Sequence, residues 1–190
     1  MDVGTAIRTR RTIRRYQKEK VSQLVLDQLL ELMRYYPSAA NLQPLKFMIV
    51  TEDIDLAFMQ QILKWAGYIP GYSIEADEYP SAYILVLGDL SISGQFEFAA
   101  GSAVTQLLLA IHGEGLGGCC LGIPKQMRIH QHFGLEPERY RPLYAVAVGY
   151  PKHTAEAVEF TCDCKYTVDQ EGNFLVPKRS VSEIVLKKEK

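Results

Sequence analysis

The sequence has little of what marks several specialised classes of protein. It holds four cysteines in 190 residues, and its 21 Lys and Arg against 22 Asp and Glu leave a formal net charge of −1. This balance creates no overall field that would favour nucleic acid or an acidic membrane. No apolar run approaches the roughly 20 residues that a membrane-spanning helix needs, and the first four residues lack the pattern of a signal peptide. We therefore expect a cytoplasmic protein with free thiols and with neither nucleic-acid nor membrane partners.

The cysteines and histidines do not form a recognisable metal motif. Cys119 and Cys120 are adjacent, and Cys162 and Cys164 are separated by one residue. Structural zinc sites usually combine two pairs with two to four residues between the ligands. The four histidines are scattered along the chain. We expect no metal, and we read Cys119 and Cys120 as small core residues.

Hydrophobic residues make up 47% of the chain, which is enough for a packed core in one domain. We expect helices over residues 3–9, from an N-cap at Ser22 to about residue 34, over 55–65 and over 96–112. We expect buried strands over residues 47–50, 82–87, 117–121 and 144–148. The 96–112 helix is apolar nearly all round and must be covered on every side. Residues 151–190 are polar, and we expect them to be an irregular C-terminal extension. The pattern leaves parallel and mixed sheets undecided.

A run of arginines follows the first predicted helix. Arg10, Arg11 and Arg14, with Thr12 among them, can converge on one anion if the backbone turns there. Arginine offers forked donors that match phosphate oxygens, and the Thr12 hydroxyl adds another contact. The alternative is an ordinary solvated basic stretch. The sequence alone does not separate these two interpretations.

A second candidate element is the segment from Pro37 to Pro44, which reads Pro-Ser-Ala-Ala-Asn-Leu-Gln-Pro. Its two prolines require a loop. Its serine, asparagine and glutamine could present donors and acceptors to a planar heterocycle. The alternative is a plain helix-to-strand connection in which these side chains satisfy local backbone groups.

The glycine-rich stretch from Gly113 to Gly122 is the third candidate. Glycine lets the backbone approach a ligand closely. The stretch imitates a dinucleotide-binding fingerprint only in part, and it follows a helix where that fingerprint requires a strand. We therefore exclude a Rossmann site.

Taken together, these elements resemble the nitroreductase family. The resemblance runs over nearly the whole chain and rests on segments in the family's order and spacing: Arg10-Arg11-Thr12-Ile13-Arg14, Pro37 to Pro44, Ala110 to Gly118, Gly149-Tyr150-Pro151 and Arg179. Pro-Ser-Ala-x-Asn-x-Gln-Pro is the most specific of them. The chain departs from many members along the long helix, where Ala99 and Gln106 replace an Asp and an Asn. We interpret that departure as a variation of the dimer interface or core.

The resemblance implies a single α+β domain over residues 1–190, with a central, mostly antiparallel sheet wrapped by helices. It implies an intertwined homodimer with two FMN sites, each built from both chains. Arg10, Arg11, Thr12 and Arg179 would contact the phosphate, and Arg14 the N1–O2 edge of the flavin. The partner's loop would line the ring, and backbone amides of one short segment would reach its N5–O4 side. The residues concerned are Pro37, Ser38, Ala39, Asn41 and Gln43 in the loop, and Leu121, Gly122 and Ile123 in the segment.

The implied activity is ping-pong transfer from NAD(P)H through flavin N5 to a small, electron-poor acceptor such as a nitroaromatic or a quinone. A fixed cation beside the N1–C2=O edge would favour the reduced flavin, which is negative there. Hydride transfer of this kind requires no catalytic triad, and we assign no catalytic residue. Two alternatives stay open. The same fold could perform enoate reduction, dehydrogenation or reductive dehalogenation, or the chain could bind flavin with little turnover.

Overall fold

The computed structural model describes residues 1–186 and alternates helices with strands. The helices are α1 (Val3–Thr9), α2 (Gln23–Leu32), α3 (Asp53–Ile62), α4 (Glu97–Gly113), α5 (Gln126–Phe133) and α6 (Val181–Ile184), with single 3₁₀ turns at Met33–Tyr35 and Ala39–Asn41. The strands are β1 (Leu45–Val50), β2 (Ala82–Asp89), β3 (Gly117–Gly122), β4 (Tyr140–Gly149), β5 (Ala155–Glu159), β6 (Thr167–Val168) and β7 (Phe174–Lys178). No helix in this described part is long and apolar enough to cross a membrane.

The central sheet has four strands in the order β1-β2-β4-β3, and each neighbouring pair is antiparallel. Every residue of β2 is buried, which explains why its sequence is an unbroken apolar run from Tyr83 to Leu87. A strand covered on both faces needs apolar side chains at successive positions. The predicted α+β fold with an antiparallel central sheet is confirmed, and a parallel central sheet is excluded.

The helices α2 and α4 cover one face of the sheet. Leu26 and Leu29 of α2 pack into the same core cluster as Leu107 and Ile111 of α4. Ser22 begins α2 as expected, because its side chain accepts a hydrogen bond from the Val25 N–H. Helix α3 and the turn after it bury their apolar residues in a second cluster on the other face. The sheet is therefore wrapped by helices, as the family resemblance implied.

Helix α4 is covered on only part of its surface within one chain. Its inner residues, such as Ala103 and Leu107, are fully buried, whereas Phe98 is 64% exposed. Gly101 and Thr105 continue the exposed face at helical spacing. The helix thus carries an apolar face that a single chain leaves open.

The expectation of an irregular segment over 151–190 is wrong in part. Strands β5, β7 and β6 form a second sheet, in which β5 pairs with β7 in parallel and β6 pairs with β7 antiparallel. Phe174 of β7 is fully buried and gives this sheet a core contact. The strands are short: β5 alternates small apolar with charged residues, β6 has two residues, and β7 contains a proline. Residues 187–190 lie outside the described part of the chain, and the assignment of a single domain stays a prediction.

Candidate functional site

The arginine-bearing segment, residues 10–16, runs along the free edge of β3. Thr12 forms a parallel bridge with Gly118, and the Ile13 N–H donates to the Gly118 carbonyl at 3.1 Å. The approach is so close that a Cβ at Gly117 would lie 2.7 Å from the Ile13 Cβ. A side chain at Gly117 would displace the segment.

The other side of this segment is held by the chain that leaves β4. The Gln17 N–H donates to the Tyr150 carbonyl at 2.8 Å, and the Lys152 N–H donates to the Arg15 carbonyl at 3.0 Å. Inside the segment, the fully buried Tyr16 donates its hydroxyl to the Ile13 carbonyl at 2.7 Å. Residues 10–16 are therefore a fixed element of the structure.

The cations of this segment have different local partners. Arg10 is half-buried, and burial, followed by the neighbouring charge of Arg11, lowers its pKa. Arg11 turns its terminal nitrogens back to the Arg10 and Arg8 carbonyls, the latter at 2.8 Å, so that it caps the end of α1. The buried Arg11 Nε has no hydrogen-bond partner within residues 1–186. Arg11 can thus offer an anion less of its guanidinium than Arg10 can.

Arg14 is set into an aromatic surface that the sequence did not reveal. Its guanidinium lies 4.3 Å from the centroid of the Tyr166 ring and 4.7 Å from that of Phe174. Its backbone N–H donates to His153 Nε2 at 2.9 Å. These three partners all come from the C-terminal part of the chain. Aromatic residues inside an otherwise polar segment were the available sequence signal, but their contact with Arg14 was not predictable.

Most of the loop from Pro37 to Pro44 is exposed, Pro44 is buried, and hydrogen bonds hold the backbone of the loop. Ser38 Oγ accepts from the Gln43 N–H at 3.0 Å, and Ser102 Oγ on α4 donates to the Pro37 carbonyl at 2.8 Å. Asn41 and Gln43 have positive φ values of 53° and 51°. This conformation is uncommon for residues other than glycine. Both side chains are exposed, and the Gln43 amide nitrogen donates to the Asn41 carbonyl at 3.4 Å.

The candidate residues do not all lie together in one chain. The loop precedes β1, whereas residues 10–16 lie beside β3, and β1 and β3 are the two edge strands of the sheet. Three inter-strand spacings separate these edges, a distance of about 14 Å. The segment Leu121, Gly122 and Ile123 ends β3 and so shares an edge with Arg14. Arg179 follows β7, where it pairs with Glu183 at 3.3 Å and lies 4.2 Å from the Phe160 ring.

The two cysteines of β3, Cys119 and Cys120, are unsuited to act as nucleophiles. All four are free thiols, as expected. Burial raises the pKa of Cys119 to about 12 and that of Cys120 to about 11. A thiol with so high a pKa is almost wholly protonated at neutral pH and is a poor nucleophile.

What the arrangement offers chemically is a fixed cationic edge and a polar loop. Among the described residues, Arg10 and Arg14 form no salt bridge with a carboxylate, although Arg15 beside them pairs with Glu78. A half-buried cation without a carboxylate is suited to bind an anion. The exposed amides of Asn41 and Gln43 carry the donors and acceptors that a planar heterocycle would need.

Comparisons with known proteins show what the sequence and the fold are similar to. The model of the nitroreductase family matches residues 7–150. A protein of Methanothermobacter thermautotrophicus, provisionally named NADH dehydrogenase/NAD(P)H nitroreductase, is 32% identical over 158 residues, which are 80% of this chain and 78% of that protein. The crystal structure of a provisionally assigned nitroreductase from Desulfovibrio desulfuricans, in complex with FMN, is similar with a TM-score of 0.75 and 27% identity over 100% of this chain and 98% of that one.

A more distant likeness concerns the fold alone. An iodotyrosine deiodinase bound to FMN and 3-iodo-L-tyrosine has a TM-score of 0.63 at 22% identity, over 80% of this chain and 90% of that chain. The resemblance that the arginine run and the Pro37–Pro44 loop indicated is confirmed by the family match. The chain belongs to the nitroreductase family.

Proposed function

We propose that the chain is an FMN-dependent NAD(P)H oxidoreductase that reduces nitroaromatics, quinones or similar electron-poor acceptors. Membership of the nitroreductase family makes it an oxidoreductase. The observation that carries the FMN assignment is the fixed edge of β3, where Arg10 and Arg14 have no carboxylate partner among residues 1–186. The FMN complex of the Desulfovibrio desulfuricans relative supports the cofactor, and the name of the Methanothermobacter thermautotrophicus relative supports the reductant.

The residues at this edge fit the two ends of FMN. Arg10, the unpartnered Nε of Arg11 and the Thr12 hydroxyl would hold the phosphate. Arg179 would join them only if the Glu183 contact opens or if Arg179 comes from the partner subunit. A Cβ added at the exposed Gly122 would meet no other atom within 4 Å, so the edge of a ring has room to approach the backbone there.

The chain's own contribution to the reaction would be mainly electrostatic. When bound, FMN would supply the redox chemistry, accepting a hydride from NAD(P)H and passing electrons to the acceptor. Arg14, held from its backbone and from both aromatic rings, would stabilise negative charge at the N1–O2 edge. The site then needs no nucleophile or general base from Cys119, Cys120 or the scattered histidines.

The proposal requires a second subunit, and the cytoplasmic homodimer is part of it. On the open face of α4, the Phe98 side chain is 64% exposed. On α1, Val3 is 73% exposed and Ile7 is 58% exposed. Apolar surface of this extent commonly marks an interface. Because the Pro37–Pro44 loop leads into β1 and the arginine segment borders β3, the two lie at opposite edges of the sheet in one chain, and we assign the loop to the site of the partner.

Spectroscopy and turnover test the proposal together. We expect the purified protein to bind FMN, to bleach on addition of NADH or NADPH, and to recover when a nitroaromatic or quinone is added. Arg10→Ala should weaken FMN binding, whereas Lys64→Ala, a substitution of an exposed cation elsewhere, should not. Absence of FMN binding would refute the proposal.

The acceptor panel separates the alternative activities. A halogenated phenol that turns over in place of nitroaromatics and quinones would favour reductive dehalogenation on the same fold. Rapid bleaching without recovery by any acceptor would favour a flavin-binding protein with little turnover. Comparing NADH with NADPH at equal concentration fixes the preferred reductant.

A further inference from the structure

His153 is buried beside Arg14, and both of its ring nitrogens are engaged. Its Nδ1 lies 2.7 Å from the Thr154 carbonyl oxygen, and its Nε2 lies 2.9 Å from the Arg14 backbone nitrogen. A carbonyl oxygen only accepts and a backbone N–H only donates, so Nδ1 must carry a hydrogen and Nε2 must not. The neutral tautomer with hydrogen on Nδ1 is the one form that satisfies both contacts.

The same imidazole belongs to the surface that holds the Arg14 side chain. Its ring centroid is 4.9 Å from that of Phe174. Phe174 in turn lies 4.7 Å from the Arg14 guanidinium, and Tyr166 covers that group at 4.3 Å. His153, Tyr166 and Phe174 therefore form one group, here called the Arg14 cradle, which fixes both the backbone and the guanidinium of Arg14.

We propose that His153 is a positioning residue that holds Arg14 against the flavin edge, and that protonation of His153 releases it. The inference rests on the proposed FMN function, because Arg14 matters for the potential only if it faces the cofactor. An imidazolium would place an N–H of His153 against the N–H of Arg14. The hydrogen bond would be lost, and the Arg14 backbone would be free to shift.

Three charged side chains lie around His153, of which the two arginines oppose its protonation and Glu78 favours it. Arg14 and Arg15 face it from the arginine segment, and Glu78 faces it from the loop between α3 and β2. Glu78 is already paired with Lys152 at 3.1 Å and with Arg15 at 3.9 Å. Phe174 of β7 adds an uncharged wall.

Burial, together with the charges of Arg15 and Arg14, lowers the pKa of His153 below its ordinary value. The folded-state pKa is thus below that of the unfolded chain. The Arg14 contact is therefore complete at neutral pH and is lost as the pH falls through the lowered pKa of His153.

The test compares His153→Leu with His153→Gln in the FMN-loaded protein. Leu keeps an apolar contact with Phe174 but offers no acceptor, whereas Gln can place Oε1 near the position of Nε2 and does not titrate. At about pH 8, we expect His153→Leu to lower the ratio of reduced to oxidised FMN affinity about tenfold, which corresponds to a fall of about 30 mV in the two-electron potential. His153→Gln should stay within about threefold of wild type.

The pH dependence and the apoprotein supply independent readouts. As the pH is lowered, the potential of the wild type should approach that of His153→Leu, with an extra inflection that His153→Gln lacks. In the apoprotein, hydrogen exchange of the Arg14 amide should accelerate about tenfold in His153→Leu and stay near wild type in His153→Gln. If His153→Leu does not fold, the wild-type inflection and its absence in His153→Gln decide the question.

The Arg14→Ala variant distinguishes a failure of the role proposed for His153 from a failure of the proposed FMN function. If Arg14→Ala lowers the potential while His153→Leu leaves it and the Arg14 amide unchanged, the role of His153 is refuted and the proposed function stands. If the protein binds no FMN, or if Arg14→Ala leaves the potential unchanged, the assignment of Arg14 fails and the inference fails with it. A shift in both variants, with rescue by His153→Gln, supports the proposal.

Discussion

Because the arginine segment and the Pro37–Pro44 loop are separated in one chain, their assignment to different subunits can be tested by complementation. One chain carries Asn41→Ala and Gln43→Ala, which remove the loop amides, and the other carries Arg10→Ala and Arg14→Ala, which remove the cations. If each site takes its arginines from one chain and its loop from the other, the two sites of a heterodimer differ. One site combines the intact arginines with the intact loop, and the other combines both defects.

The expected loss at a damaged site follows from the contacts removed. In a titration with oxidised FMN, loss of Arg10 would remove a charge-assisted hydrogen bond of about 1.5–3 kcal/mol, and loss of each amide a neutral bond of about 0.5–1.5 kcal/mol. The arginine pair therefore lowers the affinity for oxidised FMN at least about tenfold, and the loop pair about fivefold or more, since 1.4 kcal/mol is a factor of ten. Both homodimers should bind weakly, because each of their sites carries one of the defects.

The assay uses two affinity tags, purifies heterodimers in tandem and titrates them with FMN. We expect about 0.5 FMN per chain to bind with wild-type affinity and the remainder to bind far more weakly. An exposed-surface pair of substitutions, Glu52→Ala in one chain and Lys64→Ala in the other, controls for the tags and the exchange. If all sites of the heterodimer are equally weak, loop and arginines act within one chain, and the distance argument is wrong.

Three further predictions concern single substitutions. Arg14→Ala should lower the FMN midpoint potential, because the charge that it stabilises is present only after reduction, whereas Arg10→Ala should weaken both redox states alike; an unchanged potential in Arg14→Ala would contradict these roles. Tyr16→Phe should reduce the free energy of unfolding by about 1–3 kcal/mol, because the buried Tyr16 hydroxyl donates to a carbonyl of the arginine segment. Tyr83→Phe should be neutral or stabilising, because the buried Tyr83 hydroxyl has no partner in residues 1–186. Equal losses of stability in chemical denaturation of the two variants would contradict this reasoning. Gly101→Ala should improve the helix propensity of α4 by about 1 kcal/mol yet weaken the dimer, because a new methyl group stands on the face assigned to the partner; sedimentation showing an unchanged or tighter dimer would exclude that face as the interface.

The strands and helices of the core were predictable because their burial is written into local sequence. Strand β2 is buried on both faces, so its apolar run is visible without knowledge of its partners. Ser22 at the start of α2 and Gly115 after α4, with φ of 74°, show the same local origin. Such features depend on residues within a few positions of one another.

The C-terminal sheet could not be predicted, because its order depends on distant pairing. Strand β5 reads Ala-Glu-Ala-Val-Glu and is half exposed, and its parallel partner begins at Phe174. The contact of His153 with Arg14 spans 139 positions in sequence. Neither periodicity nor composition identifies which histidine meets which backbone group over such a separation.

The predicted site residues divide in the same way. The arginine run and the loop were found from their composition, but the turn of Arg11 back to the carbonyls of α1 was not anticipated. The roles of Arg179 and of Leu121 to Ile123 stay predictions. They depend on the cofactor and on the partner subunit, which a pattern in one chain cannot place.

The position of the arginine segment on the edge of β3 also bears on aggregation. An uncovered edge strand offers its N–H and C=O groups to the edge of another molecule. Here residues 12 and 13 occupy part of that edge through Gly118. A substitution that detaches the segment would therefore do more than remove cations, because it would open the sheet to intermolecular strand pairing. Loss of the cofactor and loss of solubility should consequently appear together in variants such as Gly117→Val, in which the added side chain displaces Ile13.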